Sequence, residues 1–240
     1  MQTEFDKIAK DYEAWHSEVV SASGFSVEYF QEYKVKEIRR ILKKYNIESP
    51  ISILDFGCGI GNADPYIRKH FPESQICGVD VSGESIKIAK EKQKDYNIRY
   101  EILDSKLLGR ESTAQFEILF DFVFVFNVFH HVPKSEHMAI LSYIKANMKP
   151  NGLLFIFEFN PYNPASRYIF NKFDRPVDKN ANLIYPYYLK NKIKDSSFRP
   201  ILCNYTVFFP KPLEKLILLE KYMTWLPMGA HYYLMAEKLS

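Results

Sequence analysis

Asp55-Phe56-Gly57-Cys58-Gly59-Ile60-Gly61-Asn62 is the stretch whose residue types and spacing speak most directly of chemistry. Glycines at alternate positions admit backbone conformations that a side chain obstructs, and let the main chain approach a ligand closely. An apolar run, Ile51–Phe56, leads into the loop, and a helical pattern over Asn62–Phe71 leads out of it. A loop so placed gathers backbone N–H groups at the C-terminal edge of a parallel sheet, a nucleotide-binding address. The spacing discriminates between nucleotides. A dinucleotide loop, G-x-G-x-x-G, needs a third glycine at position 62, which is Asn62. Asp80 closes the next apolar run, 23 positions beyond Gly57. An ionised carboxylate only accepts hydrogen bonds, which suits the paired hydroxyls of a ribose.

The elements that must position these residues follow from periodicity. Apolar residues at Ile8, Tyr12, Trp15 and Val19 predict a first helix. Phe30, Ile38, Ile41 and Tyr45 form the buried stripe of a second, with Ser26 as its N-cap. Short apolar runs then alternate with helical stretches, the pattern of βα units on a mostly parallel sheet. Strands are predicted at Ile51–Phe56, Gln75–Val81, Ile98–Leu103, Phe122–Phe126 and Leu153–Phe159. The fourth is apolar throughout, as a central strand covered on both faces requires. Between them lie helices over Asn62–Phe71, from Ser82 to about Asp95, and from Ser135 with Leu141, Ile144 and Met148 on one face. Asn160–Arg199, with four prolines and little periodicity, reads as an insert over the sheet edge or site. Strands at Ile201–Phe209 and His231–Lys238 end the sequence, with helical potential between them at Leu213–Leu226. One α/β domain results: a helical cap (1–48), a ligand-binding core (49–159), an insert or lid (160–200) and terminal strands with an intervening helix (201–240).

Composition narrows the class. The 240 residues are 47% hydrophobic and 25% charged, enough for one full core. No apolar run reaches membrane-spanning length, and the first residues lack the pattern of a signal peptide, so a soluble cytoplasmic protein is expected. Cys58, Cys77 and Cys203 lack any paired spacing, so neither a metal site nor a disulfide framework is expected. A net charge of +3 is too small to imply a nucleic-acid partner. Oligomeric state is not legible.

The run D-x-G-x-G-x-G resembles the first motif of class I S-adenosylmethionine-dependent methyltransferases, and Gly78-Val79-Asp80-Val81-Ser82 resembles their second. The resemblance covers about Ile51–Phe159. It implies a Rossmann-like, doubly wound seven-stranded sheet with the last strand antiparallel, and S-adenosyl-L-methionine as cofactor. It also implies that Gly57, Cys58, Gly59 and Gly61 pack beside the methionine part, that Asp55 orients it, and that Asp80 with Val81 receives the ribose. By the same resemblance Asp104 and Ser105 hold the adenine, and Asn127 lines the cofactor. Phe126-Asn127-Val128-Phe129-His130-His131 resembles the segment at the methyl end in small-molecule methyltransferases. A histidine titrating near neutral pH can take the proton of a hydroxyl acceptor. Neighbouring residues usually point apart, and of His130 and His131 the second is preferred as catalytic. Glu158-Phe159-Asn160-Pro161-Tyr162-Asn163-Pro164 resembles a segment of methyltransferases from bacterial polysaccharide gene clusters, which implies a small-molecule, sugar or lipid-linked sugar acceptor bound by Glu158, Asn160, Tyr162 and Asn163.

Two other classes stay open at this point. A nicotinamide-dependent oxidoreductase shares the sheet but lacks the glycine at position 62. A non-catalytic binding module would keep the fold and act through the insert and the C-terminal helix. Leu213–Leu226, rich in leucine and aromatics with Lys211, Lys215 and Lys221 nearby, has two readings, core packing or contact with a membrane surface.

Overall fold

A computed structural model describes residue 6 and residues 23–47, 51–108, 114–172 and 181–239. The predicted first helix lies outside the described residues, apart from Asp6. Seven strands form one sheet: β1 (Ser52–Phe56), β2 (Gln75–Asp80), β3 (Arg99–Ile102), β4 (Phe120–Phe126), β5 (Met148–Phe159), β6 (Phe198–Thr206) and β7 (His231–Lys238). Their order is β3-β2-β1-β4-β5-β7-β6, and β7 alone runs antiparallel to its neighbours, β5 and β6. This is the doubly wound sheet expected, with β4 at its centre. The order reverses between β1 and β4, which opens a crevice beyond their C-terminal ends.

Alternation along the strands divides the core in two. Leu54, Phe56, Val123 and Val125 face α4 (His137–Ala146) and α6 (Pro186–Asp195) through Ile140, Leu141, Ile144, Leu189 and Ile193. Ile53, Phe122, Phe124 and Phe155 face α1 (Val27–Lys44) and α2 (Asp64–His70). Ser26 caps α1 by accepting from the Tyr29 N–H, and Ser82 caps α3 (Gly83–Lys92) in the same way through Ser85.

Several expectations need correction, among them the predicted strand Ile201–Phe209, which runs Phe198–Thr206 instead. Tyr45 is 40% exposed, and Val35 and Leu42 complete the α1 stripe instead. Met148 opens β5 rather than ending α4, because Pro150 disfavours helical backbone ahead of it, and residues 149–152 are carried between the Met148 and Leu153 pairings. The insert holds two helices, α5 (Pro164–Lys172) and α6. The latter starts with Pro186 in its first turn and seats Leu189 and Ile193 in the core. Between β6 and β7 there is no single helix: Lys211–Leu219 is 3-10, broken at Leu213, and only α7 (Glu220–Met223) is α-helical. No residue of 211–219 is buried, so packing adds nothing to hold a continuous α-helix, and the core-packing reading of this segment fails. No helix among the described residues is long and apolar enough to cross a membrane.

Candidate functional site

The C-terminal ends of β1, β2 and β4 meet at one edge, since Phe56 pairs with Val79 and Asp55 with both Gly78 and Phe124. Just beyond them lies a cavity of about 280 Å³. Gly57, Gly59, Asp80, Val81, Asn127 and His131 are on its wall, with Leu103, Leu108 and Ile140 forming an apolar side. Gly57 has φ +76°, and a Cβ there would stand 2.4 Å from Val128, so this turn can close only on glycine. Gly59 has φ +54° and faces open space, leaving the loop's surface bare toward the cavity.

Asp80 holds the loop and faces the cavity together. Its Oδ2 accepts from the Gly59 N–H at 2.9 Å and its Oδ1 from the Ser82 N–H at 2.8 Å. Each carboxylate oxygen keeps a lone pair, so two hydroxyl donors can still be received. Burial raises the Asp80 pKa, opposed by these hydrogen bonds. Asn127, at φ 57°, ends β4 in a left-handed conformation, tied by its N–H to the Phe157 carbonyl. That strain turns the chain toward the cavity at the point where a ligand would meet it.

Behind this wall stands a residue that the sequence reading missed. Lys34 of α1 is 4% exposed, its ammonium 3.4 Å from Asn127 Oδ1 and 4.9 Å from the centre of the Phe126 ring. Burial pushes its pKa down to about 8, while Glu158 and Asp55 pull the other way. The signal was present: Lys34 sits midway between Phe30 and Ile38 on the stripe that α1 buries. Asp55 is buried below the loop, and burial followed by the charge of Asp64 drives its pKa well up. Asp64, itself buried, accepts from the Tyr100 hydroxyl at 2.6 Å, and burial pushes it up to about 6.

The two histidines have different surroundings. His130 is 2% exposed and its Nδ1 donates to Glu158 Oε2 at 2.6 Å, while Glu158 Oε1 accepts from the Phe129 N–H at 2.8 Å. His131 lines the cavity, its ring 3.9 Å from that of His130. Glu158 therefore clamps the 3-10 turn Phe129–His131 that carries His131. Glu158→Gln keeps the shape but weakens two charge-assisted hydrogen bonds, with an expected loss of about 1–2 kcal/mol. Urea unfolding at neutral pH checks this, and an unchanged midpoint would mean the carboxylate charge contributes nothing.

The remaining residues singled out in the sequence are spread around the site. Gly61 joins the loop to α2 and offers its carbonyl to Gln93. The Cys58 thiol packs beside Gly78 and the Ile86–Tyr100 cluster. Asp104 is exposed and accepts from the Lys106 N–H, and Ser105 opens the 3-10 turn that follows. Asn160 is fully buried, donating to the Pro227 and Gly229 carbonyls, and Asn163 donates to Met228 and caps α5 through the Ser166 N–H. Their amides brace the chain entering β7. Tyr162 is exposed and meets Tyr185 edge-on.

Comparison with known proteins gives a consistent answer. Residues 26–200 match a family described as a methyltransferase domain. Over 125 residues the chain is 24% identical to a trans-aconitate 2-methyltransferase of Rhodopseudomonas palustris, covering 52% of this chain and 45% of that protein. A malonyl-[acyl-carrier protein] O-methyltransferase of Bacillus anthracis is 32% identical over 98 residues, covering 38% and 36%. In each case the match spans less than half of the relative's length. Among solved structures, magnesium protoporphyrin IX methyltransferase of Synechocystis, crystallised with S-adenosylhomocysteine, superposes with a TM-score of 0.59 at 16% identity, over 86% of this chain and 83% of that one.

Proposed function

The chain belongs to the methyltransferase-domain family, in its S-adenosylmethionine-dependent class, and from that premise we propose that it methylates an oxygen of a small-molecule or glycan acceptor. The observation that carries the reading is one cavity walled by the Gly57–Gly59 loop, Asp80, Asn127 and His131. When bound, S-adenosylmethionine supplies an activated methyl group. The site fits it on its own chemistry. Asp80 offers two acceptor oxygens to a ribose, Leu103, Leu108 and Ile140 offer an apolar slot to a flat base, and Lys34, behind the wall, holds the Asn127 side chain. His131 takes the acceptor proton on its imidazole as the acceptor oxygen gains its new bond. Val132 and Pro133, which line the cavity next to His131, keep that end apolar, where proximity and exclusion of water favour displacement over hydrolysis.

Ligand-induced melting tests the cofactor, because a ligand that binds only the folded state raises its stability. S-adenosylhomocysteine should raise the melting midpoint and NAD should not, and the reverse result would favour an oxidoreductase. Radiolabel transfer from S-adenosylmethionine into cell-extract fractions then separates an enzyme from a binding module. Asp80→Asn leaves one acceptor oxygen and no charge, so S-adenosylhomocysteine should bind about tenfold more weakly by calorimetry. Unchanged affinity would remove Asp80 from the ribose site.

A further inference from the structure

The connection between β6 and β7 leaves the sheet where Thr206 and Phe159 both pair with His231, at the edge that holds the cavity. It is firmly held. Lys211 N–H donates to the Ser23 carbonyl, Tyr205 N–H to the Thr224 carbonyl, and buried Glu220 accepts from the Phe208 N–H and the Tyr33 hydroxyl, each at 2.7 Å. Yet it presents its apolar side chains outward. Leu218 is 78% exposed, Trp225 74% and Tyr222 67%, with Leu216, Leu219 and Met228 also exposed. Apolar exposure so concentrated on an anchored element marks an interaction surface.

Charge indicates what the surface meets. Lys211, Lys215 and Lys221 are exposed among these residues against a single exposed acid, Glu214. The Lys221 ammonium lies 4.9 Å from the centre of the Tyr222 ring, with an aliphatic stem that can lie along apolar groups while its head stays polar. An isologous contact with a second copy would bring the same basic patch against itself, which like charges oppose. Leucines for an acyl layer, Tyr222 and Trp225 for its boundary and lysines for acidic headgroups together form an interfacial element.

We propose that residues 211–228 dock the enzyme on an anionic lipid surface, with the cavity edge facing the bilayer. This deepens the proposed function by committing the acceptor to a membrane-resident lipid or lipid-borne glycan. Vesicle binding needs neither cofactor nor acceptor, so its failure leaves methyl transfer standing.

The full chain is sedimented at low salt with vesicles of phosphatidylglycerol and phosphatidylcholine, and with phosphatidylcholine alone. Binding should be about 100-fold tighter on the anionic vesicles, given three lysines near the surface. The Leu218→Asp/Trp225→Asp variant should lose at least about tenfold on both, and Lys211→Glu/Lys215→Glu/Lys221→Glu should abolish the anionic preference. In Trp15→Phe, which leaves Trp225 as the one tryptophan, emission should shift to the blue on anionic vesicles. An unaltered S-adenosylhomocysteine melting shift shows that each variant is folded. Absence of vesicle binding by the wild-type chain overturns the proposal, as does undiminished binding by the folded Leu218→Asp/Trp225→Asp variant. A dimer in light scattering that this variant dissociates, with no vesicle binding, assigns the surface to a second copy instead.

Discussion

His131→Ala should lower kcat by about 100-fold or more while leaving S-adenosylhomocysteine affinity within about twofold, the usual scale for loss of a positioned general base. The expectation rests on place and on chemistry. His131 is on the cavity wall one residue from His130, whose ring nitrogen is committed to Glu158. A sugar hydroxyl is a poor nucleophile until its proton has somewhere to go, whereas a carboxylate acceptor needs no base. The clamp from Glu158 to the turn remains in the variant, so a folded protein with normal cofactor binding is the control. Equal turnover in both forms would take His131 out of the mechanism and favour an acceptor already ionised.

Lys34→Met should move stability and cofactor binding in opposite directions. No carboxylate among the described residues lies within ion-pair distance of Lys34, and its depressed pKa records the cost of burying the charge. An apolar side chain of similar length avoids that cost but leaves Asn127 Oδ1 without its donor. The net gain is about 1–3 kcal/mol, or a melting midpoint several degrees higher. The wild-type protein carries the penalty fully below about pH 8, where the lysine is protonated both folded and unfolded. As pH rises from about 8 toward the ordinary lysine value the folded state releases its proton first, so stability rises across that window and should not do so in the variant. Cofactor affinity should drop about tenfold, because Asn127 on the cavity wall loses the donor that holds its side chain. A variant both less stable and equally tight in binding would mean that Lys34 is a structural residue.

The likeness to methyltransferases explains the fold and the cofactor loop more fully than the acceptor, since one fold hosts many reactions.

Periodicity and motif spacing were enough to place the sheet, the loop and Asp80. These are local properties: strand periodicity, glycines where backbone must bend past Val128, and an acid at the tip of the next strand. Topology then brings strand ends together without further information. Tertiary structure alone decided which side chains face the cavity and which support it. Glu158 and Asn160 look like substrate residues beside the site, but both are buried, with Glu158 bonded to His130 and Asn160 to backbone carbonyls 67 and 69 positions away. Lys34 reaches Asn127 across 93 positions, a meeting no local pattern encodes. Leu213–Leu226 has the composition of a core helix, and only the packed fold turns its leucines toward solvent.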